Sequence, residues 1–275
     1  MDPRAEVNRA WWDERVGWHA ESGFYDVASF EAGGLSLDVI ERGEVGNVAG
    51  RDLMHLQCHF GLDTLSWARL GARVVGVDFS EPAIQLARRL ATEAALEARF
   101  VCCDVYETLE LVDERFDVVF SSYGVLSWLP DLGHWAEVVA GLLRPGGKVH
   151  LIELHPATCM FDDETTELRF RYPYFRSAEP TRVERSGSYA VPDAPTHEQT
   201  TFAWSSSISD VLTALLDAGL RIDRFREFDS CDEQLRPFLV QGPDGRWRAP
   251  PGWPALPLVY ALTATRPASG RAAIG

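Results

Sequence analysis

From Asp52 to Pro156 the chain alternates short apolar runs with stretches whose apolar residues recur at helical spacing. Leu53–Gln57, Arg73–Val77, Phe100–Cys103, Phe116–Phe120 and Val149–Leu154 read as strands. Helical segments lie between them. One runs from about Gly61 to Leu70 and is stopped by Gly71; the next opens on Ser80 as N-cap, with Pro82 in its first turn. A third carries Trp135, Val138, Val139, Leu142 and Leu143 on one face, before Pro145-Gly146-Gly147 turns the chain into a strand. This rhythm predicts a parallel sheet covered by helices, an α/β fold. It breaks at about residues 156–204, where Pro, Tyr and short alternating segments predict a small antiparallel sheet inserted after the fifth strand. Helical spacing resumes at Ile208, Val211, Leu212, Leu215 and Leu216, ended by Gly219. Strands at Arg221–Phe228 and Leu258–Thr265 follow, separated by a Pro- and Gly-rich loop, and together suggest a terminal antiparallel hairpin. Upstream, Val7–Glu21 reads as a helix bearing Trp11, Trp12 and Trp18. The expected organisation is a helical cover over residues 1–50 and a main domain over 51–275 with a cap insertion at about 156–204.

Composition narrows the classes. The 275 residues suit one α/β domain with a small appendage. No apolar run is long enough to span a bilayer, and residues 1–20 lack a signal-peptide pattern, so a cytoplasmic location without a membrane partner is expected. A formal net charge of -15 repels nucleic-acid backbones, which excludes nucleic acid as a favoured partner. Cys58, Cys102, Cys103, Cys159 and Cys231 form an odd set without CxxC spacing, which argues against disulfides and against a metal site. Lys148 is the sole lysine and sits at a turn entering a strand, a poor place for Schiff-base chemistry. The composition leaves a homo-oligomer open, and its arginine and alanine richness suggests a GC-rich bacterial genome and specialised metabolism.

Ligands of open α/β sheets bind beyond the carboxyl ends of the strands. There the sequence places His55-Leu56-Gln57-Cys58-His59-Phe60-Gly61, Val77-Asp78-Phe79-Ser80, Cys103-Asp104-Val105 and Ser121-Ser122-Tyr123. Asp78 stands where an acid accepts both hydroxyls of a ribose, and Asp104 with the Val105 N–H suits an adenine edge. Either acid alone could equally be a helix cap or a solvated charge. A dinucleotide needs bare glycine backbone at its pyrophosphate; Gln57, Cys58, His59 and Phe60 crowd that place and disfavour NAD. S-adenosylmethionine carries no phosphate. Its ammonium needs carbonyls such as those around Gln57, its carboxylate needs donors such as His59 or Tyr25, and aromatic faces favour its sulfonium. The expected cofactor residues are Tyr25, Gln57, Cys58, His59, Gly61, Asp78, Phe79, Asp104, Val105 and Ser121.

On these residues, with Phe116-Asp117-Val118-Val119 and Leu143-Arg144-Pro145-Gly146-Gly147, residues 52–156 resemble the class I, Rossmann-like, S-adenosylmethionine-dependent methyltransferases. His55 to Thr64 is similar to a bacterial subgroup with this replacement loop, as are Gly187-Ser188-Tyr189-Ala190 and Asp244-Gly245-Arg246-Trp247. The resemblance implies a seven-stranded, mostly parallel sheet with the last strand antiparallel, helices on both faces, and methyl transfer from S-adenosyl-L-methionine to an O, N or C atom of a small molecule. The chain departs from the family at His55, where an acid is usual, and at Gln57 and His59, where glycines are usual.

Methyl transfer needs alignment and exclusion of water more than acid–base chemistry. Trp12, Tyr25, Tyr123, His155 and Tyr189 are the candidate acceptor-site residues, with His155 and Glu153 as candidate bases and His197 behind them. Trp11 and Trp18, spaced seven apart, could simply dock their helix. Arg169, Arg171, Arg176, Arg182 and Arg185 either bind an anionic acceptor or pair with Glu167, Glu179 and Glu184. Competing readings are a nicotinamide oxidoreductase, a non-catalytic S-adenosylmethionine-binding protein of the same fold, and non-methylating sulfonium chemistry. Serine hydrolase chemistry lacks its GxSxG elbow.

Overall fold

In the computed structural model, which describes residues 2–268, seven strands form one sheet in the order β3-β2-β1-β4-β5-β12-β8. They are β1 (Asp52–Leu56), β2 (Arg73–Asp78), β3 (Ala98–Cys102), β4 (Phe116–Ser122), β5 (Leu143–Leu154), β8 (Arg221–Phe228) and β12 (Val259–Thr265). Strands β1 to β5 pair in parallel, and β12 runs antiparallel to both of its neighbours. This is the expected α/β architecture, including the antiparallel last strand. Residues 269–275 of the expected main domain lie outside the described residues.

Alternation along the strands supplies two cores. Met54 and Leu56 of β1 pack with Val119 of β4 on one side, whereas Leu53 packs with Val118 and Phe120 on the other. The first side is covered by α6 (Thr108–Leu111), α7 (Leu132–Leu142) and α9 (Ile208–Asp217). The second is covered by α3 (Val39–Val45) and α4 (Leu62–Arg69), whose Trp67 is fully buried. Helix α5 (Glu81–Glu93) begins as expected, with the Ser80 hydroxyl accepting from the Ala83 N–H and proline in the first turn. Its Ile84, Ala87 and Leu90 pack with Phe60 and Phe100 in a third cluster.

The N-terminal helix α1 (Pro3–Ala20) is followed by α2 (Val27–Glu31). Trp11 is buried at its underside, but Trp18 is 38% exposed, so only the first of the pair docks the helix. After β5 comes a single helical turn, α8 (Pro156–Cys159), then the expected two-stranded antiparallel sheet of β6 (Thr181–Glu184) and β7 (Thr200–Ala203). The 230–257 segment, expected as loop, holds a three-stranded sheet of β9 (Ser230–Cys231), β10 (Val240–Gln241) and β11 (Trp247–Arg248). Two-residue strands leave no periodicity to read, which is why the sequence did not reveal them.

Candidate functional site

The four parallel strands β3, β2, β1 and β4 end along one edge of the sheet, so Asp104-Val105, Asp78-Phe79-Ser80, the 57–61 loop and Ser121-Ser122-Tyr123 form one arc. The loop is unusual. Gln57, His59 and Gly61 take left-handed backbone conformations, with φ of 56°, 50° and 77°. Such a conformation costs a non-glycine residue about 1–2 kcal/mol, so Gln57 and His59 occupy glycine-type positions under strain. Only the third position truly demands glycine: a Cβ on Gly61 would lie 2.7 Å from the Phe100 ring and 3.0 Å from the Ala87 methyl.

Asp78 holds this loop. Its Oδ2 accepts the His59 N–H at 2.8 Å and its Oδ1 accepts the Ser80 N–H at 2.9 Å. The carboxylate is buried, and burial lifts its pKa to about 6, with the charge of Asp13 adding to the rise. Asp104 is also buried and raised by burial; its Oδ1 accepts the Tyr106 N–H at 3.1 Å. The capping that the sequence offered as an alternative role for Asp104 is thus present, and its second oxygen makes no hydrogen bond among the described residues. Cys58, buried beneath the loop, and Ser121, whose Oγ is buried without a partner, complete the arc with half-buried Phe79.

Helix α1 lies across this loop. The His19 Nδ1 meets His59 Nε2 at 3.0 Å, and the Trp12 ring stands edge-on to His59 at 5.1 Å and to Trp128 at 5.3 Å. Burial holds both imidazoles neutral: His19 falls to about 4, and His59 falls well below its usual range, with His19 contributing. One ring therefore donates to the other. Tyr25 packs on Phe60 at 4.7 Å and bonds the Tyr189 hydroxyl through its own. Trp12, Tyr25 and Tyr189 thus come together with His59 over the arc.

The cover is fastened to the insertion. Arg15 is fully buried, and its guanidinium donates to Gly187 O, Trp11 O, Thr196 Oγ1 and Glu198 O at 2.7–2.9 Å. Asn8 exchanges two hydrogen bonds with the Phe202 backbone, both 2.8 Å. Glu14 accepts the N–H groups of His197 and Glu198, so His197 contributes backbone here rather than its ring.

Glu153 and His155 are engaged elsewhere. The buried Glu153 carboxylate accepts the N–H groups of Gly124, Leu126 and Leu154, fixing the turn after β4. It borders a cavity of about 120 Å³ walled by Tyr172, Tyr174, Trp204 and Tyr260. His155 caps α8, its Nδ1 accepting the Ala157 N–H, and its Nε2 lies 2.9 Å from Glu227 without hydrogen-bonding geometry. Its ring meets Tyr260 at 6.1 Å, and it is not brought together with Trp12, Tyr25 and Tyr189. Tyr123, with φ of 35°, packs against the cluster of Ile40, Leu53, Trp67 and Phe120, whereas Tyr25 packs in the other cluster with Phe60; the Tyr123 hydroxyl is buried without a partner. Of the insertion's arginines, Arg171, Arg182 and Arg185 pair with nearby acids, Arg169 lies 3.9 Å from Asp162, and Arg176 donates to the carbonyls of Leu129 and Pro130.

Asp13 and His19 were missed by sequence reasoning. His19 follows Trp12 by two helical turns and so shares its face, a spacing that could have pointed to it. Nothing local marks Asp13 among the other acids of α1.

Residues 54–147 match a family model described as a methyltransferase domain. A ubiquinone biosynthesis O-methyltransferase of Alkalilimnicola ehrlichii is 34% identical over 115 residues, covering 42% of this chain and 46% of the relative. Another of that description, from Nitrosococcus oceani, is 29% identical over 190 residues, 65% of this chain and 75% of its own. The chain spans about half the length of the curated relatives it first matches. Their names give no support to the specialised metabolism expected from composition. The crystal structure of an S-adenosylmethionine-dependent methyltransferase from Mesorhizobium loti superposes with a TM-score of 0.54 at 21% identity, over 89% of this chain and 100% of that one. The chain thus carries, over residues 54–147, the sequence pattern of a methyltransferase domain, set in the fold that the Mesorhizobium enzyme shares.

Proposed function

We propose that the chain is an S-adenosylmethionine-dependent methyltransferase acting on a small-molecule acceptor. The observation that carries the reading is the buried Asp78 carboxylate at the end of β2, clasping a loop of three left-handed residues. Asp78 would take the ribose hydroxyls, Asp104 and the Val105 N–H the adenine, and the 57–61 loop with Ser121 the amino-acid end. The residues fit that group. Asp13 Oδ1, His19 Nε2, Gln57 Oε1 and Ser121 Oγ are buried polar atoms without hydrogen-bond partners, and buried groups of this kind need partners. An amino acid's ammonium and carboxylate supply acceptors' and donors' complements. A pyrophosphate fits worse, because the side chains of Gln57, Cys58, His59 and Phe60 occupy the approach it needs.

S-adenosylmethionine supplies a methyl group activated by its sulfonium. The chain's own part is to bind, orient and dry the site. Helix α1 and the insertion form the cover, and the two neutral imidazoles at His19 and His59 place no cation there. With Glu153 and His155 held in structural contacts, proton removal would fall to another group or to water. Titration with S-adenosylhomocysteine and, separately, with NAD tests the reading. Binding of the former alone is expected; binding of NAD, or of neither ligand by the folded chain, would overturn it.

A further inference from the structure

The cavity of about 120 Å³ bordered by Glu153 lies at the end of β5. Two parts of the chain make its walls. Gly124, Leu126 and Ser127 come from the turn after β4; Tyr172, Tyr174 and Trp204 come from the insertion. The two parts are tied together. The Trp204 N–H donates to Ser127 O at 2.8 Å, and the Arg176 guanidinium donates to Leu129 O at 2.8 Å. Within the same turn, Val125 O accepts the Gln57 side-chain amide at 3.1 Å. One short turn thus serves both the 57–61 loop and the cavity.

The chemistry of the walls is selective. Among the described residues Glu153 is the one carboxylate on them, and no Arg, Lys or His lines them. The Glu153 oxygens are already taken by the N–H groups of Gly124, Leu126 and Leu154. A charged guest would therefore give up its water and meet no free counter-charge. The rings of Tyr172, Tyr174 and Trp204 offer faces and edges to an apolar group instead. Size points the same way: a cavity of about 150 Å³ walled by apolar side chains accepts benzene, so this one suits a single ring. Tyr260 of β12 is an independent sign of a guest. It lines the cavity, is only 1% exposed, and its hydroxyl makes no hydrogen bond among the described residues. A hydroxyl buried so deeply needs a partner, and it can donate or accept. Tyr172, Tyr174, Trp204 and Tyr260 all lie outside the 54–147 family match, so these walls are not part of the shared methyltransferase pattern.

We propose that this cavity is a subsite for an uncharged, apolar group the size of one ring, carried by the acceptor, with the Tyr260 hydroxyl bonding a single polar atom on it. The word acceptor rests on the methyltransferase reading; the binding does not. The test is calorimetric titration of the full chain, with and without S-adenosylhomocysteine, using benzyl alcohol against benzylamine, benzoate and the two-ring 2-naphthalenemethanol. Benzyl alcohol should bind, and the other three at least about tenfold more weakly. Tyr260→Phe should weaken benzyl alcohol by about threefold to tenfold and leave toluene unchanged, because only the alcohol loses a hydrogen bond. Cys159→Leu, which fills part of the cavity from its wall, should weaken both by about tenfold or more. Thermal melts report folding, and both variants should keep S-adenosylhomocysteine binding. No binding of benzyl alcohol by the folded chain under either condition overturns the proposal. So does equal or tighter binding of benzylamine, benzoate or the two-ring alcohol, or a Tyr260→Phe variant that binds benzyl alcohol as the parent does. Benzyl alcohol binding without S-adenosylhomocysteine binding would instead sink the methyltransferase reading and leave the subsite standing.

Discussion

Replacing Asp78 by Asn should separate stability from cofactor binding. The carboxylate sits buried with a pKa of about 6 against an ordinary 3.8, and holding it ionised at neutral pH costs on the order of 3 kcal/mol. Asparagine removes that cost. It also turns an NH2 group toward one of the two backbone donors now bonded, His59 N–H or Ser80 N–H, at about 1–3 kcal/mol. The net change in the unliganded fold is therefore between nothing and a gain of about 2 kcal/mol, a melting rise of no more than about 8 °C. Binding behaves oppositely. Losing charge-assisted hydrogen bonds to two ribose hydroxyls costs about 3–6 kcal/mol, or about two to four powers of ten in affinity for S-adenosylhomocysteine. The pH dependence carries the same signature. Because the folded-state pKa is raised, the fold binds a proton more readily than the unfolded chain, and this residue's contribution to stability rises as pH falls from about 6 toward 3.8. Over the same window cofactor affinity falls, since the ribose must bind an acid that has become protonated. Titration calorimetry and melts across pH 4–8 on both proteins read this. An Asp78→Asn variant that binds S-adenosylhomocysteine as tightly as the parent, or keeps the parent's pH slope, would refute the reasoning.

Three further outcomes follow from the geometry. Gly61→Ala combines left-handed backbone with a methyl 2.7 Å from Phe100, and should lower stability by about 2–5 kcal/mol in a urea melt; a loss under about 1 kcal/mol would show that the loop relaxes freely. Arg15→Met removes a fully buried guanidinium shared by α1 and the insertion, so limited proteolysis should speed up in both segments together, and faster cleavage in one alone would contradict their coupling. Glu153→Gln leaves an NH2 among backbone donors and should lower the melting temperature while cofactor binding survives; lost turnover with an unchanged melt would instead restore Glu153 as a base.

The strands, the arc of strand ends and the antiparallel last strand were legible in the sequence because each rests on local chemistry. Ser80 caps its helix through its own side chain, and apolar runs over Leu53–Leu56 and Val118–Phe120 can be buried only between two helical layers. The sequence set Gln57 and His59 where glycines are usual, and the fold shows why glycines would suit there: both take left-handed backbone. The roles of Glu153 and His155 were not legible: alternation along a strand puts residues two apart on one face, but it does not tell that backbone donors from the 124–126 turn would claim one and α8 the other.

The fastening of α1 to the insertion has a consequence for traffic. Asn8 and Phe202 are 194 residues apart in the chain, yet they bond as neighbouring strands do, and Arg15 spans a similar gap to Glu198. The two segments are therefore joined into one cover over the arc of strand ends. Neither segment can open by itself without breaking the buried contacts of the other. A ligand bound beneath them in the proposed site would then leave only if both moved together, and the frequency of that one motion would set the ceiling on how often the site is emptied and filled again.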